Sequence, residues 1–425
     1  MIKNKAKVGI FLSLLTNVCR FLLALTFVVS GFVKAVDPVG NSYKIAEYIN
    51  ALSWLSLSET SQLPISLSIL QSSFEFLLGT CLFWGIRRRF VSILSLLTLL
   101  LFTIITFYIA VYNPISDCGC FGDLIHLTNW QSLYKNLLLL FCSIVVFINV
   151  KRQVRLFPSQ AGWWISLYSL LYVYIMASYS AFYLPIIDNG SYRIGANIAK
   201  EIDEMKNPQQ EYIFEKNGVQ KVFTLDNYPD NTWHFIGEKA TGKGKAEESL
   251  MNFAVFDYSS NVDLTDNLLH DKTYNFWLVV PHLHSMDDSS IDCINDVQDY
   301  CHKYKYPFYV FTASGEEDYK NWSEEEGINA PIYHVDESVL KSMVRSNPGL
   351  IAVKKGIILK KWGKNNIPDA NDLKSLMKEI NLSGINTANV GLIFVKYLLL
   401  YIVPIFVLQL FIILKRKNSH LLINK

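Results

Sequence analysis

The chain has 425 residues, 51% of them apolar, and a formal net charge of +2. Its mean hydropathy is positive, which is high for a soluble enzyme and natural for membrane helices joined to a water-facing domain. The small net charge, with basic residues gathered beside apolar runs, argues against nucleic acid as a partner.

Six apolar stretches follow one another at roughly 10–33, 65–86, 90–112, 133–150, 161–187 and 390–414. Each is close to the ~20 residues a helix needs to cross a bilayer. A basic N-terminus ahead of an apolar run could begin a signal peptide. No small-residue cleavage site follows it, so a retained first span is expected. Lys3, Lys5 and Lys7 precede the first stretch, and Arg87, Arg88 and Arg89 separate the second from the third. Lys151, Arg152 and Arg155 separate the fourth from the fifth, and Lys415, Arg416 and Lys417 follow the sixth. All four clusters share one face if the chain crosses six times with both termini inside. The 34–64 segment, a loop around Cys118 and Cys120, and residues 188–389 then lie outside. Short links between the first four spans predict an antiparallel four-helix bundle over 1–155. A fifth span at 161–187 is rich in Tyr and Trp, suited to interfacial belts and helix contacts. A sixth span at 390–414 precedes an inner tail at 415–425.

Arg20 and Glu75 stand out within these spans, where ionisable groups are costly and rarely unpaired. Counting from the inner ends of spans one and two puts Arg20 and Glu75 at similar depths, ~15 Å at helical rise. They are expected to meet, as an ion pair fixing helix order or as the polar lining for a quinone-like ligand. Cys19, Cys81 and Cys142, also within spans, read as small packing residues.

The loop between spans three and four carries Asp117-Cys118-Gly119-Cys120-Phe121-Gly122-Asp123. A thiol pair outside a membrane is more often a disulfide or redox centre than two resting thiols. A disulfide across one residue closes a small, strained ring that is easily reduced. Gly119 is the residue most able to adopt the backbone angles of such a ring. Asp117 and Asp123 oppose thiolate formation, whereas neutral His126 could accept a thiol proton. Cys118, Cys120 and His126 are therefore the candidate catalytic residues. A structural bond, or a metal held with Asp117, Asp123 or His126, stays open beside redox exchange.

The outer block opens with a small β-rich subdomain over 188–262, in which Tyr212–Lys216 and Val219–Phe223 flank an Asn217-Gly218 turn. Thr241-Gly242-Lys243-Gly244-Lys245 is its best linker. Strand and helix patterns then alternate over 272–382: strands at 276–281, 307–313 and 332–336, helices at 289–303, 316–326 and 337–345, a hairpin over 349–362 and a helix at 369–380. This order resembles the thioredoxin-like fold with an extra strand–helix insertion. Asn275-Phe276-Trp277 sits where such proteins often carry Phe-Trp, and Asn347-Pro348 where they place a cis-proline. Pro281-His282-Leu283-His284-Ser285 stands in place of a Cys-x-x-Cys, so the usual exchange chemistry is missing. A redox-silent docking module is expected. Cys293 and Cys301, eight residues apart on one helix, would be ~12 Å apart, beyond one disulfide. They read as separate helix thiols, with a resolving role for one of them as the alternative. His282 and His284 could bind a metal, though such spacing is common by chance.

Ser30-Gly31-Phe32-Val33-Lys34-Ala35-Val36-Asp37-Pro38, a second span with Glu75 and Gly79, and the Cys-Gly-Cys-Phe-Gly string resemble the DoxX-like integral membrane family. The likeness is to its methylamine-utilisation branch, MauE, over about residues 10–150, and the whole layout looks like the long Bacteroidetes type. The resemblance implies a bacterial inner (cytoplasmic) membrane protein with residues 188–389 periplasmic. It also implies a link to maturation of disulfide-rich periplasmic proteins, with a bundle like that of vitamin K epoxide reductase. The expected fold is a multi-span α-helical membrane protein, a four-helix bundle plus two further spans, with an extracytoplasmic α/β thioredoxin-like domain. Two functions stand side by side. One is a thiol–disulfide redox component acting on an extracytoplasmic protein substrate. The other is a non-catalytic scaffold or assembly factor with a structural Cys118–Cys120 pair. A six-span carrier is disfavoured because no paired inverted repeat is visible.

Overall fold

The structure, a computed structural model, describes residues 2–51, 61–114, 122, 127–206, 210–216, 219–223, 229–230, 232–240, 248–383 and 390–423. Two compact units divide the chain: 1–189 with 388–425, and 190–387.

The first unit is helical. Its members are α1 (Ile2–Val36), α2 (Pro38–Ala51), α3 (Leu63–Trp84), α4 (Arg88–Tyr112), α5 (Asn129–Ile148) and α6 (Ser159–Phe182), with the C-terminal helix Val390–Ile423. Six of these helices are long and apolar enough to cross a membrane, at the places the hydropathy predicts. The boundaries shift where local chemistry acts. The fourth span starts at Asn129 rather than 133 because Thr128 and Gln131 form a reciprocal capping box. The fifth stops at Phe182 rather than 187, just before Pro185, which cannot continue a helix. The 34–64 segment is not all loop. Pro38 opens α2, where a missing N–H costs nothing, and Asp37 Oδ1 accepts the Gly40 N–H at 2.8 Å.

Helices α1 and α3 make the most intimate contact in this unit. A Cβ on Gly31 would meet the Ser72 carbonyl oxygen at 2.8 Å, and one on Gly79 would meet the Val28 nitrogen at 2.6 Å. Backbone therefore lies on backbone at two points. Small residues at such crossings are how helices associate in lipid, where apolar contacts alone give little preference. Cys19 and Cys142 are buried in the apolar core beside this crossing, and Cys81 lies there with its Sγ 3.5 Å from Ser166 Oγ. The Tyr-rich fifth span does make helix contacts. Tyr401 of the C-terminal helix bonds Ser169 at 2.9 Å and Thr80 at 3.1 Å, and the Tyr172 hydroxyl donates to the Tyr397 carbonyl at 2.9 Å. Trp163, Trp164 and Tyr174 are exposed.

The second unit holds two sheets. α7 (Ile198–Lys206) precedes strands β1 (Gln210–Lys216), β2 (Val219–Phe223) and β3 (His234–Ala240), which form an antiparallel sheet in the order β2-β1-β3. Lys216 opposite Val219 closes the hairpin in the expected register; Asn217 and Gly218, like the 241–245 linker, lie outside the described residues. Phe214 stacks edge-on with Phe223 and Phe235, 5.7 and 5.6 Å between centroids.

α8 (Glu248–Met251), β4 (Phe256–Asp257) and α9 (Thr265–Leu269) lead to the larger sheet. There follow β5 (Tyr274–Val280), α10 (Ile291–Tyr304), β6 (Phe308–Thr312), α11 (Glu316–Glu326) and β7 (Ile332–His334). The unit ends with α12 (Glu337–Met343), β8 (Gly349–Lys354), β9 (Ile357–Gly363) and α13 (Ala370–Ser383). The strand order is β4-β7-β6-β5-β8-β9. β5 runs parallel to β6 and antiparallel to β8, so the centre of the sheet is buried on both faces. That is why 276–280 reads as a continuous apolar run. The Asn347–Pro348 peptide is cis.

Candidate functional site

The buried polar chemistry of the helical unit sits at one end of the α1–α3 crossing. Lys34 Nζ lies 2.7 and 2.8 Å from the two carboxylate oxygens of Glu75 and donates to Ser30 Oγ at 2.9 Å. Both side chains are shut off from solvent, at 5% and 1% exposure, so the pair must satisfy itself internally. Gln71 Nε2 donates to Glu75 Oε1 at 2.9 Å. Asn41 on α2 extends the network, reaching Ser68 Oγ at 2.9 Å and Gln71 Oε1 at 3.4 Å. Ser68 in turn donates to the Pro38 carbonyl at 2.7 Å. Three helices thus share one hydrogen-bonded chain.

Glu75 does not meet Arg20. The expected pairing is replaced by Lys34, and the reason is register. The glycine contacts place α1 residues near 30 opposite Glu75 and put Arg20 beside the end of α3, with Arg20 Nη1 3.1 Å from where a Gly85 Cβ would be. Ten residues of α3 separate Gly85 from Glu75, or ~15 Å. Arg20 is level with Gly85 and Val154 at the end of α3, so a depth counted from the start of the apolar run at residue 10 put it too far in. Arg20 is buried, donates to the Val154 carbonyl and lies over the Phe21 ring, 4.6 Å from its centroid. Lys34 was missed because it falls just past the apolar run 10–33, in the segment expected outside, whereas α1 continues to Val36.

Cys118, Cys120 and His126 lie outside the described residues, with Asp117 and Asp123. The ends of their segment are described. Asn113 caps α4 in a left-handed conformation, and its Oδ1 accepts from Asn129 Nδ2 of α5 at 2.8 Å, which ties the two flanking helix ends together. Gly122 packs on α1: a Cβ there would be 3.3 Å from Val33 Cγ1, next in the chain to Lys34.

In the second unit the segment 281–285 sits at the end of β5. His282 Nε2 pairs with Glu337 at 3.0 Å and His284 Nε2 with Asp318 at 3.1 Å, so the two imidazoles face different helices. Among the described residues no group of three or more His, Cys, Asp or Glu side chains is arranged to hold a metal. Asn347 Nδ2 donates to the His282 carbonyl at 3.0 Å and to Ser285 Oγ at 3.2 Å, bringing the cis-proline segment against 281–285. Cys301 is buried in the core, and desolvation pushes its thiol up to about 12. Cys293 is raised by partial burial and by Asp296, Asp369 and Asp292. Neither is poised as a nucleophile at neutral pH, since the thiolate is the reactive form.

Asp287, just beyond this segment, is held at about 2, against an ordinary 3.8, by Lys364 (Nζ to Oδ2, 2.6 Å) and by Ser289. A carboxyl lowered in the folded state stabilises it fully above the unfolded value near 3.8 and stops doing so as pH falls through about 2. Lys364→Met should therefore lower the melting temperature of the full chain at pH 5. The gap from the parent protein should narrow steadily between pH 4 and pH 2, for roughly these carboxyl values. A gap that stays constant across that range would show that the two side chains do not interact. The pair is one-third exposed, so the effect is expected to be small.

These features define a multi-pass α-helical membrane protein with a sheet-containing unit between its fifth and sixth spans. Residues 12–149, which hold α2–α5 and most of α1, match the family Methylamine utilisation protein MauE. Residues 209–241, the three-stranded sheet, match a domain of unknown function, DUF8463. No curated protein matches the chain. The bundle is thus MauE-like, and the Lys34–Glu75 network and both ends of the cysteine segment fall inside the matched region.

Proposed function

We propose that this protein is a membrane thiol–disulfide redox component, or maturation factor, for extracytoplasmic proteins, with Cys118 and Cys120 as the working pair. The observation that carries the reading is the Cys118-Gly119-Cys120 sequence within a MauE-like bundle, on a segment whose Gly122 packs against Val33 of α1. The basic flanks support a topology with both termini inside and residues 188–389 outside, and the likeness to MauE supports a bacterial inner membrane. In the proposed reaction a client thiolate attacks one sulfur of the Cys118–Cys120 disulfide, breaking it and forming a mixed disulfide. A second client thiolate attacks that bond, and the pair leaves as a dithiol while the client gains a disulfide. The pair is restored by loss of two electrons and two protons, which a quinone-class acceptor would take up. His126 is the proposed acceptor of a thiol proton. Of the two residues first suggested as ligand lining, Glu75 is the one on the same stretch of α1–α3 as Lys34.

The second unit supports a docking role. Its β6-β5-β8-β9 order, with β5 and β6 parallel and β8 and β9 antiparallel to their neighbours, supports reading it as a thioredoxin-like core. The cis Asn347–Pro348 bond faces the place where a Cys-x-x-Cys would stand, and His282 and His284 occupy it. Client binding without exchange suits that site.

The test is titration of Cys118–Cys120 in the full-length protein against a defined thiol buffer, with capture of partners by Cys120→Ser. A working pair equilibrates under mild conditions, as exposed labile disulfides do, and the remaining thiol holds a client in a mixed disulfide. An impermeant thiol reagent should also reach the reduced pair from outside intact cells. A pair that stays oxidised in strong reductant and captures nothing would leave the scaffold reading in its place.

A further inference from the structure

We propose that the face of the bundle formed by the α3–α4 turn and the α5–α6 connection binds the phosphate-bearing headgroup of an anionic membrane lipid. A cavity of about 490 Å³ opens there, lined by Arg87, Arg88, Arg89, Phe90, Val150 and Arg155. Four guanidiniums around one cavity repel one another unless an anion lies among them. Among the described residues, the cavity's lining includes no carboxylate. Residues 1–36, 76–116, 124–187 and 384–425 contain no Asp or Glu, and these stretches supply every helix end on this face. The compensating charge has to come from another molecule.

The site is built rather than merely basic. Arg88 donates through Nη1 to the Gln153 carbonyl, and Arg20 from beneath to the Val154 carbonyl. Gln153 Nε2 bonds Ser92 Oγ at 2.9 Å and the Val146 carbonyl at 3.1 Å, while the Val154 N–H donates to Asn17 Oδ1 at 3.0 Å. The 150–155 connection is thereby fixed against α1, α4 and α5, and Arg155 is held opposite the Arg87–Arg89 turn. Arg20 is fully buried, and its Nε and Nη2 have no hydrogen-bond partner among the described residues, which adds positive charge without a carboxylate under the same floor.

Phosphate fits because a guanidinium presents paired N–H donors to two of its oxygens. A lipid fits better than a free anion because the cavity opens onto apolar surface. Phe90 is in its wall, and Ile93, Leu97 and Leu100 continue an exposed stripe along α4 on which acyl chains can lie. Basic pockets between membrane helices are a recurrent way of holding such headgroups.

The experiment uses purified full-length protein in a zwitterionic detergent, with melting temperature read as cardiolipin, phosphatidylglycerol, phosphatidylcholine or inorganic phosphate is added. Cardiolipin and phosphatidylglycerol should raise it and phosphatidylcholine should not. In a variant carrying Arg87→Gln, Arg89→Gln and Arg155→Gln, the cardiolipin midpoint should move up by roughly a hundredfold, for three lost surface charges. A variant with Lys3, Lys5 and Lys7 all changed to Gln loses the same charge elsewhere and should keep the parental midpoint. Because a triple arginine variant can fail to fold, Arg87→Lys, Arg89→Lys and Arg155→Lys are combined in a second variant. It keeps the charge but loses the paired donors, and it should bind more weakly than the parent. Equal midpoints in the parent and both arginine variants would overturn the proposal, as would equal weakening in the N-terminal lysine variant. Full reproduction of the shift by inorganic phosphate would assign the site to a free anion instead.

Discussion

Lys34→Met alone is expected to destabilise the helical unit by about 3–5 kcal/mol, the usual consequence of leaving one member of a buried ion pair without the other. Glu75→Leu alone should cost a similar amount. Each single change leaves a full charge beside apolar helices, with Ser30 or Gln71 as its main remaining contact. The double variant Lys34→Met with Glu75→Leu removes both charges together, and most of the lost stability should return. Thermal unfolding in detergent and steady-state abundance would both report it. Arg20→Met should not rescue Glu75→Leu, because Arg20 bonds the Val154 carbonyl and not Glu75. If the Lys34/Glu75 double variant is as poor as the worse single one, the pair contributes something other than mutual neutralisation.

Gly79→Leu and Gly31→Leu should each separate α1 from α3. Even a methyl group at Gly79 would sit 2.6 Å from the Val28 nitrogen and 2.9 Å from the Ala24 carbonyl oxygen, which are backbone atoms that no rotamer change can move. Overpacking of this kind costs about 1–3 kcal/mol in a core that can adjust, and more where the obstacle is main chain. Leu at either position should therefore lower the melting temperature sharply, and the two together should prevent accumulation of folded protein. The contrast is Gly327, where a Cβ would meet nothing within 4 Å. Its φ of +71° makes Ala mildly unfavourable there for a different reason, so the loss should be close to 1 kcal/mol. Comparable losses at Gly79 and Gly327 would mean that the α1–α3 crossing is looser than its backbone contacts indicate.

The register of that crossing also explains where sequence reading failed at the site. Glu75 and the Cys118–Cys120 string stood out from their chemistry: a carboxylate in an apolar run, and paired thiols around a glycine. The partner of Glu75 was misassigned because depth was counted from the ends of apolar runs. The slide of α1 along α3 is set by Gly31 and Gly79. Neither glycine announces, in a single sequence, which residues of the other helix it touches. The arginine-lined cavity was hidden for the same reason. Arg87–Arg89 and Arg155 are 66 residues or more apart in the chain, and only the packing of two connections makes them one site.

By itself the sequence determined the number and order of the spans, because ~20 apolar residues have no stable place in water and a bilayer requires them all to be helical. It also determined the alternation of strands and helices from 274 to 383. There β5 is apolar from Phe276 to Val280, α11 is bounded by Gly315 and Gly327, and the β8–β9 hairpin turns at Lys355-Gly356. These are local properties, decided by side-chain period and by a few turn residues. Only the tertiary structure decided that β5 lies between β6 and β8, that Lys34 and not Arg20 neutralises Glu75, and that four arginines gather at one face. Each of these depends on contacts between segments far apart in the chain, and their energy lies in a register that no single segment encodes.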